Sequence, residues 1–351
     1  MKPADMGQVG WDIGGAHLKV AVVADGGRPL AALQLPCALW RGLDQLEGAL
    51  DQALAALPAG AAQASHAVTM TGELADLFAD REEGVQRIVA TVRGRIGGPL
   101  RVYAGEHGWL EPQDARRHFA QVASANWQAT AQLIAHKLGD ALLVDIGSTT
   151  TDLVGVRDRR VTAEGRTDFE RLISGELVYT GVVRTALMAM GDAIEFEGLR
   201  VPLMAEHFAT TADVYRLTGE LDERSDQHAS ADGAEKTPQA SARRVARMIG
   251  CDARERPLAN WRRLAASFRT VQLERIRRAA REVLLRTAVA PDAPLVAAGA
   301  GAFLVADLAA DLDRPHLHFA SLFDAPTDDA AALSICAPAV AVAVLAQQEA
   351  A

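Results

Sequence analysis

Short apolar runs and helical periodicities alternate along most of the chain. Apolar runs such as 18–23 and Leu295–Ala298 have the length of buried strands. Leucines recur at helical spacing through 43–57, and Arg81–Arg95 carries its valines and isoleucine on one face, so both segments are predicted helices. This interleaving predicts an α/β protein, with helices packed on mixed sheets.

Two stretches share one pattern, in which an apolar run ends on D-I-G and a second apolar run follows a short turn. The first is QVGWDIGGAHLKVAVV at 8–23, and the second is LLVDIGSTTTDLVGV at 142–156. Strand-like runs around a Gly/Ser/Thr turn predict a hairpin. Because the patterns lie about 130 residues apart, they indicate a duplicated domain rather than a short-period repeat. We expect Asp12 and Asp145 to face one another across a cleft.

The turns of these hairpins carry a chemistry suited to phosphate and Mg²⁺. Backbone N–H groups and hydroxyls donate to phosphate oxygens, and carboxylates are hard oxygen ligands for Mg²⁺. A third pattern, AGAGA at 298–302, follows an apolar run and precedes a predicted helix, an order that favours phosphate approach but is weak alone. An ordinary polar hairpin is the simpler alternative for any single stretch. The candidate phosphate-binding residues are Gly14, Gly15, Gly147, Ser148, Thr149, Thr150, Gly299 and Gly301, and the candidate Mg²⁺ ligands are Asp12 and Asp145.

The predicted organisation is two lobes. Residues 1–138 form the first lobe and 139–351 the second, with a helical insertion at about 200–290. A closing helix at 331–347 is a candidate to pack back on the first lobe, and 179–190 is predicted as a helix. The segment 218–242 is polar and almost free of large apolar residues, so a lid and a disordered insertion stay open as alternatives.

Composition and charge exclude several classes of protein. The net charge of −9 argues against a nucleic-acid partner, whose binding surface is usually basic. Three cysteines, Cys37, Cys251 and Cys336, lack the spacing of a zinc site or a disulfide framework. No signal-peptide pattern opens the chain, and the apolar stretch 332–345 is short and contains a proline, so a cytoplasmic protein without a membrane span is expected.

The three motifs, in this order, resemble the actin-like ATPase superfamily of sugar kinases, Hsp70 and actin. That resemblance implies two ribonuclease-H-like lobes of mixed sheet flanked by helices. DIGSTTTD, together with TGELADLF at 71–78, SANWQATA at 124–131 and DGAEKTPQASARRVARMIG at 232–250, is similar to the hydantoinase A/oxoprolinase family. Within it, the chain resembles proteins linked to tetrahydromethanopterin-dependent one-carbon transfer and their archaeal relatives in methanofuran biosynthesis, from about 9 to 345.

The resemblance implies a transferase rather than a kinase. Such an enzyme joins a phenol, on a tyramine or tyrosine unit, to an aminomethylfuran that carries a diphosphate, so that diphosphate leaves and an aryl ether forms. Mg²⁺ near Asp12 and Asp145 would neutralise the leaving group. Asp152 is the first candidate for the base that accepts the phenol proton, and Glu176 the second. The implied partners are the two small molecules, and the exact phenol and the oligomeric state, a homodimer included, stay open.

Three further residues carry open alternatives. Asn126 and Trp127 would suit an acceptor pocket, because an amide and an indole orient and stack on aromatic rings, or they are a helix cap and a core anchor. Lys19 is expected to be an exposed strand lysine rather than a phosphate contact.

Two other functions also remain: an ATP-dependent kinase or hydantoinase/oxoprolinase-like hydrolase, and a non-catalytic scaffold or nucleotide sensor.

Overall fold

The computed structural model describes residues 6–323 and 330–350, which form two compact units. The strands are β1 (Met6–Ile13), β2 (His17–Ala24), β3 (Pro29–Pro36), β4 (Ser65–Met70), β5 (Leu100–Tyr103), β6 (Trp109–Leu110), β7 (Ala141–Ile146), β8 (Thr151–Arg157), β9 (Arg160–Val161), β10 (Leu177–Val178), β11 (Ala193–Phe196), β12 (Leu199–Pro202), β13 (Leu295–Ala298) and β14 (His316–His318). The α-helices are α1 (Leu43–Ala56), α2 (Arg81–Arg95), α3 (Phe119–Val122), α4 (Asn126–Lys137), α5 (Asp168–Ser174), α6 (Thr211–Thr218), α7 (Pro238–Arg247), α8 (Leu258–Thr287), α9 (Val305–Asp311), α10 (Ala330–Ile335) and α11 (Ala337–Ala350).

The first unit is built on a sheet with the strand order β3-β2-β1-β4-β5-β6. β1 is antiparallel to β2 and parallel to β4, and β4 is parallel to β5. Strand alternation sends Val9, Trp11 and Ile13 into a core shared with α1 and α2. On the opposite side of β1, α11 packs so closely that a Cβ on Gly10 would lie 2.0 Å from the carbonyl oxygen of Ala339. Only glycine fits under this helix.

The second sheet has the order β10-β8-β7-β13-β14, and the short strand β9 also pairs with β8, near its carboxyl end. When the short strands β9 and β10, which both pair with β8, are counted together as the third strand, both sheets follow the order third, second, first, fourth, fifth strand. The predicted duplication is confirmed at the level of topology. The mixed α/β class is confirmed as well. The compact units divide within β7 and β8, because the first unit includes Val154–Thr162 and the chain from Leu317 onward as well as the chain up to Leu143.

Helices α6, α7 and α8 follow the small hairpin β11–β12 and share a core of their own in the second unit. Trp261, Leu264 and Phe268 of α8 pack there with Val245 of α7 and Leu217 of α6. This element occupies the range predicted for a helical insertion. Within the described ranges, no helix is both long and apolar enough to cross a bilayer.

Two predicted helices are wrong or much shorter than expected. Residues 179–190 form no α-helix, because the N–H groups of 182–184 bond to the turn between β7 and β8, and only Leu187–Ala189 makes a helical turn. The sequence also predicts a helix at 111–121, but this segment forms a 3-10 turn at Pro112–Asp114 and then only the short α3. Proline at the start of that turn favours a single turn but provides no apolar face for a longer helix.

Candidate functional site

The two D-I-G turns have the same backbone geometry, each within its own unit. The N–H of Gly14 donates to the carbonyl of His17 at 2.9 Å, and the N–H of Gly147 donates to the carbonyl of Thr150 at 2.8 Å. In each case the acid lies two residues before the glycine, at the carboxyl end of a central strand. The sequence repeat therefore encodes one turn, built twice.

A later loop holds each turn from outside. In the first unit, Leu39 donates its N–H to the carbonyl of Gly15 at 3.0 Å. In the second, Val182 donates to Gly147 at 3.0 Å and Arg184 to Ser148 at 2.8 Å. The turn carbonyls are thus committed to these loops.

A third loop, after the neighbouring parallel strand, closes each turn. Gly72 donates its N–H to the carbonyl of Ile13 at 3.0 Å, and Gly301 donates to the carbonyl of Ile146 at 2.7 Å. Gly72, in the TGELADLF motif, is therefore the first-unit counterpart of Gly301. Sequence reasoning singled out the Gly-x-Gly after β13 but missed this role of Gly72, although both glycines follow a buried strand.

Asp145 lies against the glycine loop that contains Gly299. A Cβ on Gly299 would lie 2.4 Å from Oδ1 of Asp145 and 2.3 Å from the carbonyl oxygen of Ile146, and its φ of +80° favours glycine. Gly181 touches the same turn from the other side, where a Cβ would lie 2.4 Å from the nitrogen of Thr149. The structure brings Asp145, the 147–150 turn and the Gly299–Gly301 loop together.

The 147–150 turn presents donors that the fold does not use. Among the residues that the structure describes, no acceptor is found for the backbone N–H groups of Ser148, Thr149 and Thr150. The hydroxyls of Ser148 and Thr149 lie 3.4 Å apart and half exposed. Successive free N–H groups beside hydroxyls form an anion-binding concavity.

The donor set of this turn fits Mg²⁺ bound together with phosphate. Over the described ranges, no group of three or more His, Cys, Asp or Glu side chains forms a ready metal cage. Mg²⁺ does not require one, because it keeps several waters and is commonly held by one or two carboxylates and by substrate phosphates. The buried carboxylate of Asp145 and the hydroxyl of Ser148 are hard oxygen ligands of that kind.

Asp12 has a cationic neighbour. It is 2% exposed, and its Oδ2 lies 3.6 Å from Nζ of Lys19, its cross-strand partner on β2. The expectation of an exposed strand lysine is therefore wrong, since the Lys19 side chain is only 18% exposed. Asp12 and Asp145 belong to different units, so their mutual approach stays a prediction.

The two candidate bases are held by structural contacts. Asp152 forms an ion pair with Arg171 at 2.9 Å, and Arg171 is buried. Glu176 is fully buried and accepts N–H groups of Glu164 and Gly165 at 2.7 and 2.9 Å. These contacts favour structural roles for both acids, and catalysis by Asp152 stays a prediction.

Asn126 and Trp127 begin α4 in the first unit. Oδ1 of Asn126 accepts the N–H of Trp127 at 2.7 Å, and Trp127 is 3% exposed, which favours the core-anchor interpretation for the indole. Just before them, the hydroxyl of Ser124 donates to Glu73 at 2.9 Å. The SANW and TGE motifs therefore meet near the carboxyl end of β4, and pocket lining by Asn126 stays a prediction.

The polar segment 218–242 is tied to its helices by ion pairs. Arg216 of α6 contacts Asp226 at 2.6 Å, and Lys236 contacts the same carboxylate at 3.1 Å. Arg244 of α7 is buried and bridges Asp213 at 2.7 Å and Asp232 at 3.1 Å. The alternative of a disordered insertion is wrong, because its charges complete a buried network.

Comparison with known proteins places this geometry in a family. The family model described as hydantoinase/oxoprolinase matches residues 65–349. The chain belongs to this family. It is 32% identical over 245 residues, 70% of this chain and 72% of the relative, to a Methanocaldococcus jannaschii protein named (4-{4-[2-(gamma-L-glutamylamino)ethyl]phenoxymethyl}furan-2-yl)methanamine synthase. A Methanococcus vannielii protein of the same name is 32% identical over 113 residues, 32% of this chain and half of that protein. Both names are those of enzymes, and the present chain is an enzyme.

A solved structure also shares the fold of this chain. The nucleotide-free structure of acetone carboxylase, from a study of ATP-dependent acetone carboxylation, matches 96% of this chain and 70% of its own with a TM-score of 0.59. The identity is 10%, so the likeness concerns the fold alone. The two sheets and the paired turns are the features of the predicted actin-like ATPase fold.

Proposed function

We propose that this enzyme is a transferase of methanofuran-type cofactor biosynthesis, which joins an aminomethylfuran diphosphate to a phenolic acceptor. The observation that carries the proposal is the 32% identity over 70% of the chain to a synthase whose named product contains a phenoxymethylfuran. A tyramine- or tyrosine-type phenol would be the acceptor, and an aryl ether and diphosphate the products. The D-I-G-S-T-T-T turn supports this proposal because it suits a diphosphate leaving group.

In this scheme the C–O bond between the furfuryl carbon and the diphosphate breaks, and a C–O bond to the phenol forms. The furan ring stabilises positive charge on that carbon, so the enzyme must chiefly neutralise the departing anion. When bound, Mg²⁺ supplies Lewis-acid neutralisation of that anion. Asp145 and the hydroxyl of Ser148 would hold it, and the N–H groups of the turn would bind the remaining oxygens.

The phenol proton must leave as the ether forms. Asp152 was the predicted acceptor, but its contact with Arg171 gives its carboxylate another task. The balance of atoms closes without a side-chain base, since the proton ends on the released diphosphate or on water. We therefore propose that binding of the departing diphosphate contributes more to the rate enhancement than a general base does.

The experiment is mass spectrometry of the product formed from the furan diphosphate with a panel of phenols. The panel contains tyramine, γ-glutamyltyramine, tyrosine and a tyrosyl peptide, and free diphosphate is measured with and without Mg²⁺. We expect diphosphate release only with a phenol present, and its loss on chelation of the metal. A folded sample that releases no diphosphate with any acceptor would refute the proposal.

Asp145→Asn and Asp12→Asn test the predicted metal ligands. Loss of a carboxylate that binds Mg²⁺ lowers kcat/KM on the order of 100-fold, because the leaving group loses several kcal/mol of charge stabilisation. The matched control is Asp158→Asn, at an acid that is 82% exposed. Full activity in both Asp145→Asn and Asp12→Asn would exclude these two metal ligands.

The paired turns also support an alternative, an ATP-dependent kinase or amide hydrolase. The same N–H groups and the Gly299–Gly301 loop suit the phosphates of a nucleotide. Calorimetry with ATP and Mg²⁺ separates the two functions. ATP binding together with ATP consumption, in the absence of product from the furan diphosphate, would favour the alternative.

A further inference from the structure

Arg184 lies directly beside the 147–150 turn. Its backbone N–H donates to the carbonyl of Ser148 at 2.8 Å, and its Nη1 lies 3.5 Å from Oγ1 of Thr149. The side chain is half-buried. Its guanidinium therefore borders the surface on which the turn presents its unused N–H groups.

The position of Arg184 is fixed by the segment that precedes it. Gly181 is pressed against Thr149, and its N–H donates to the hydroxyl of Thr185 at 2.8 Å. The amide of Gln272, buried in α8, donates to the carbonyl of Gly181 at 2.8 Å. Contacts from α8 and from the turn thus hold the backbone of Arg184 in one place, which suits a residue that must meet a ligand with defined geometry.

The charge of Arg184 also favours an anionic partner. Burial lowers the pKa of its guanidinium, because desolvation penalises the charged form, while the phenol of nearby Tyr179 acts in the opposite direction. Guanidinium groups bind phosphate oxygens through two parallel N–H donors, which a lysine cannot reproduce.

We propose that Arg184 binds the phosphoryl oxygens of the diphosphate held on the 147–150 turn. The inference rests on the proposed function and deepens it, because it names a specificity residue for the leaving group. Arg184 strengthens its contact as charge accumulates on the departing diphosphate. The residue was not singled out from the sequence, since 179–190 was expected to be a helix.

The test compares Arg184→Gln and Arg184→Lys with a matched control, Arg275→Gln. Arg275 lies in the same unit and donates to the carbonyls of Ala189 and Met190, both at 3.1 Å. Calorimetry measures the binding of inorganic diphosphate in the presence of Mg²⁺. Steady-state kinetics with the furan diphosphate give kcat and KM, and thermal unfolding checks that each variant is folded. We expect Arg184→Gln to weaken diphosphate binding by about 10- to 100-fold. Arg184→Lys keeps the positive charge and should lose less diphosphate affinity, and Arg275→Gln should bind diphosphate as the wild type does.

The outcomes separate this inference from the proposed function. Wild-type diphosphate affinity in Arg184→Gln, or no diphosphate binding by the wild-type chain, would overturn the inference. If Arg184→Gln fails to fold, unchanged affinity in Arg184→Lys would overturn it as well. If the wild-type chain binds diphosphate through Arg184 but forms no aryl ether, the inference stands and the proposed reaction fails.

Discussion

The ion pair between Asp152 and Arg171 allows a decisive test of what Asp152 does. Its carboxylate oxygen lies 2.9 Å from Nη1 of Arg171, whose side chain is 2% exposed. Arg171 also donates to the carbonyl of Glu176 at 3.1 Å, so it links α5 to β8 and to the residue that precedes β10. Replacing Asp152 by Ala would leave this guanidinium buried without the carboxylate.

The burial of the ion pair determines how much free energy of unfolding the Asp152→Ala variant should lose. Removing one partner of a buried ion pair costs about 3–5 kcal/mol, because the remaining charge stays desolvated. The Asp152 side chain is 16% exposed, so water reaches part of the pair and the lower end of that range applies, about 3 kcal/mol. The pair Arg277–Asp311, with side chains 29% and 43% exposed, should contribute only about 0–1 kcal/mol and provides the control.

The assay is urea unfolding of Asp152→Ala, Arg171→Met and the double variant Asp152→Leu/Arg171→Met, together with kcat over pH. We expect both single variants to lose stability and the double variant to regain much of it, because an apolar pair leaves no buried charge. The residual kcat of folded Asp152→Ala should keep the wild-type pH profile. The structural interpretation fails if Asp152→Ala is as stable as the wild type while its kcat falls and loses its lower pH limb.

Three other predictions follow from single positions. Gly181→Ala should reduce diphosphate affinity, since its Cβ would lie 2.4 Å from the nitrogen of Thr149 and displace the turn; diphosphate calorimetry measures this, and unchanged affinity would contradict it. Gly48→Ala, in the middle of α1 with nothing within 4 Å of the new Cβ, should raise the free energy of unfolding by about 0.5–1 kcal/mol in urea titration. Burial lowers the pKa of His66 from 6.5 to about 4, so the unfolded chain takes up its proton first as the pH falls. Stability should therefore fall by roughly 3 kcal/mol between pH 6.5 and 4. His66→Gln, whose amide oxygen can still accept from Trp11, should lose that part of the pH dependence.

The features predicted from the sequence are those with a local signal. Two apolar runs around a polar turn predict each D-I-G turn, and the position of Gly299 after a buried strand predicts the glycine loop. The loop 179–190 gave no such signal, because its hydrogen bonds go to Gly147 and Ser148, more than 30 residues away. Apolar residues at 182, 183 and 187 therefore resemble a helix face, although Val182 and Val183 bond to the turn and Leu187 is buried in the core of α6, α7 and α8.

The role of Gly72 was missed for a different reason. Its motif, T-G-E, follows β4 and contains only one glycine. The counterpart after β13 contains two, Gly299 and Gly301, which form a recognisable Gly-x-Gly pattern. The two loops share one backbone hydrogen bond. In each, a glycine N–H donates to the carbonyl of the isoleucine that follows the acid, Ile13 after Asp12 and Ile146 after Asp145. A hydrogen bond made by the main chain leaves no side-chain pattern in the sequence, so only the folded chain reveals it.

The duplicated turns differ where charge matters. Seven residues after the acid, the first turn has Lys19, which lies beside Asp12, and the second has Asp152, which pairs with Arg171. A lysine next to Asp12 competes electrostatically with a bound cation, whereas the position that corresponds to it in the second turn brings no such charge to Asp145. The same lysine would instead attract an anion. We therefore propose that the lysine at this position makes Asp12 a poorer ligand for Mg²⁺ than Asp145.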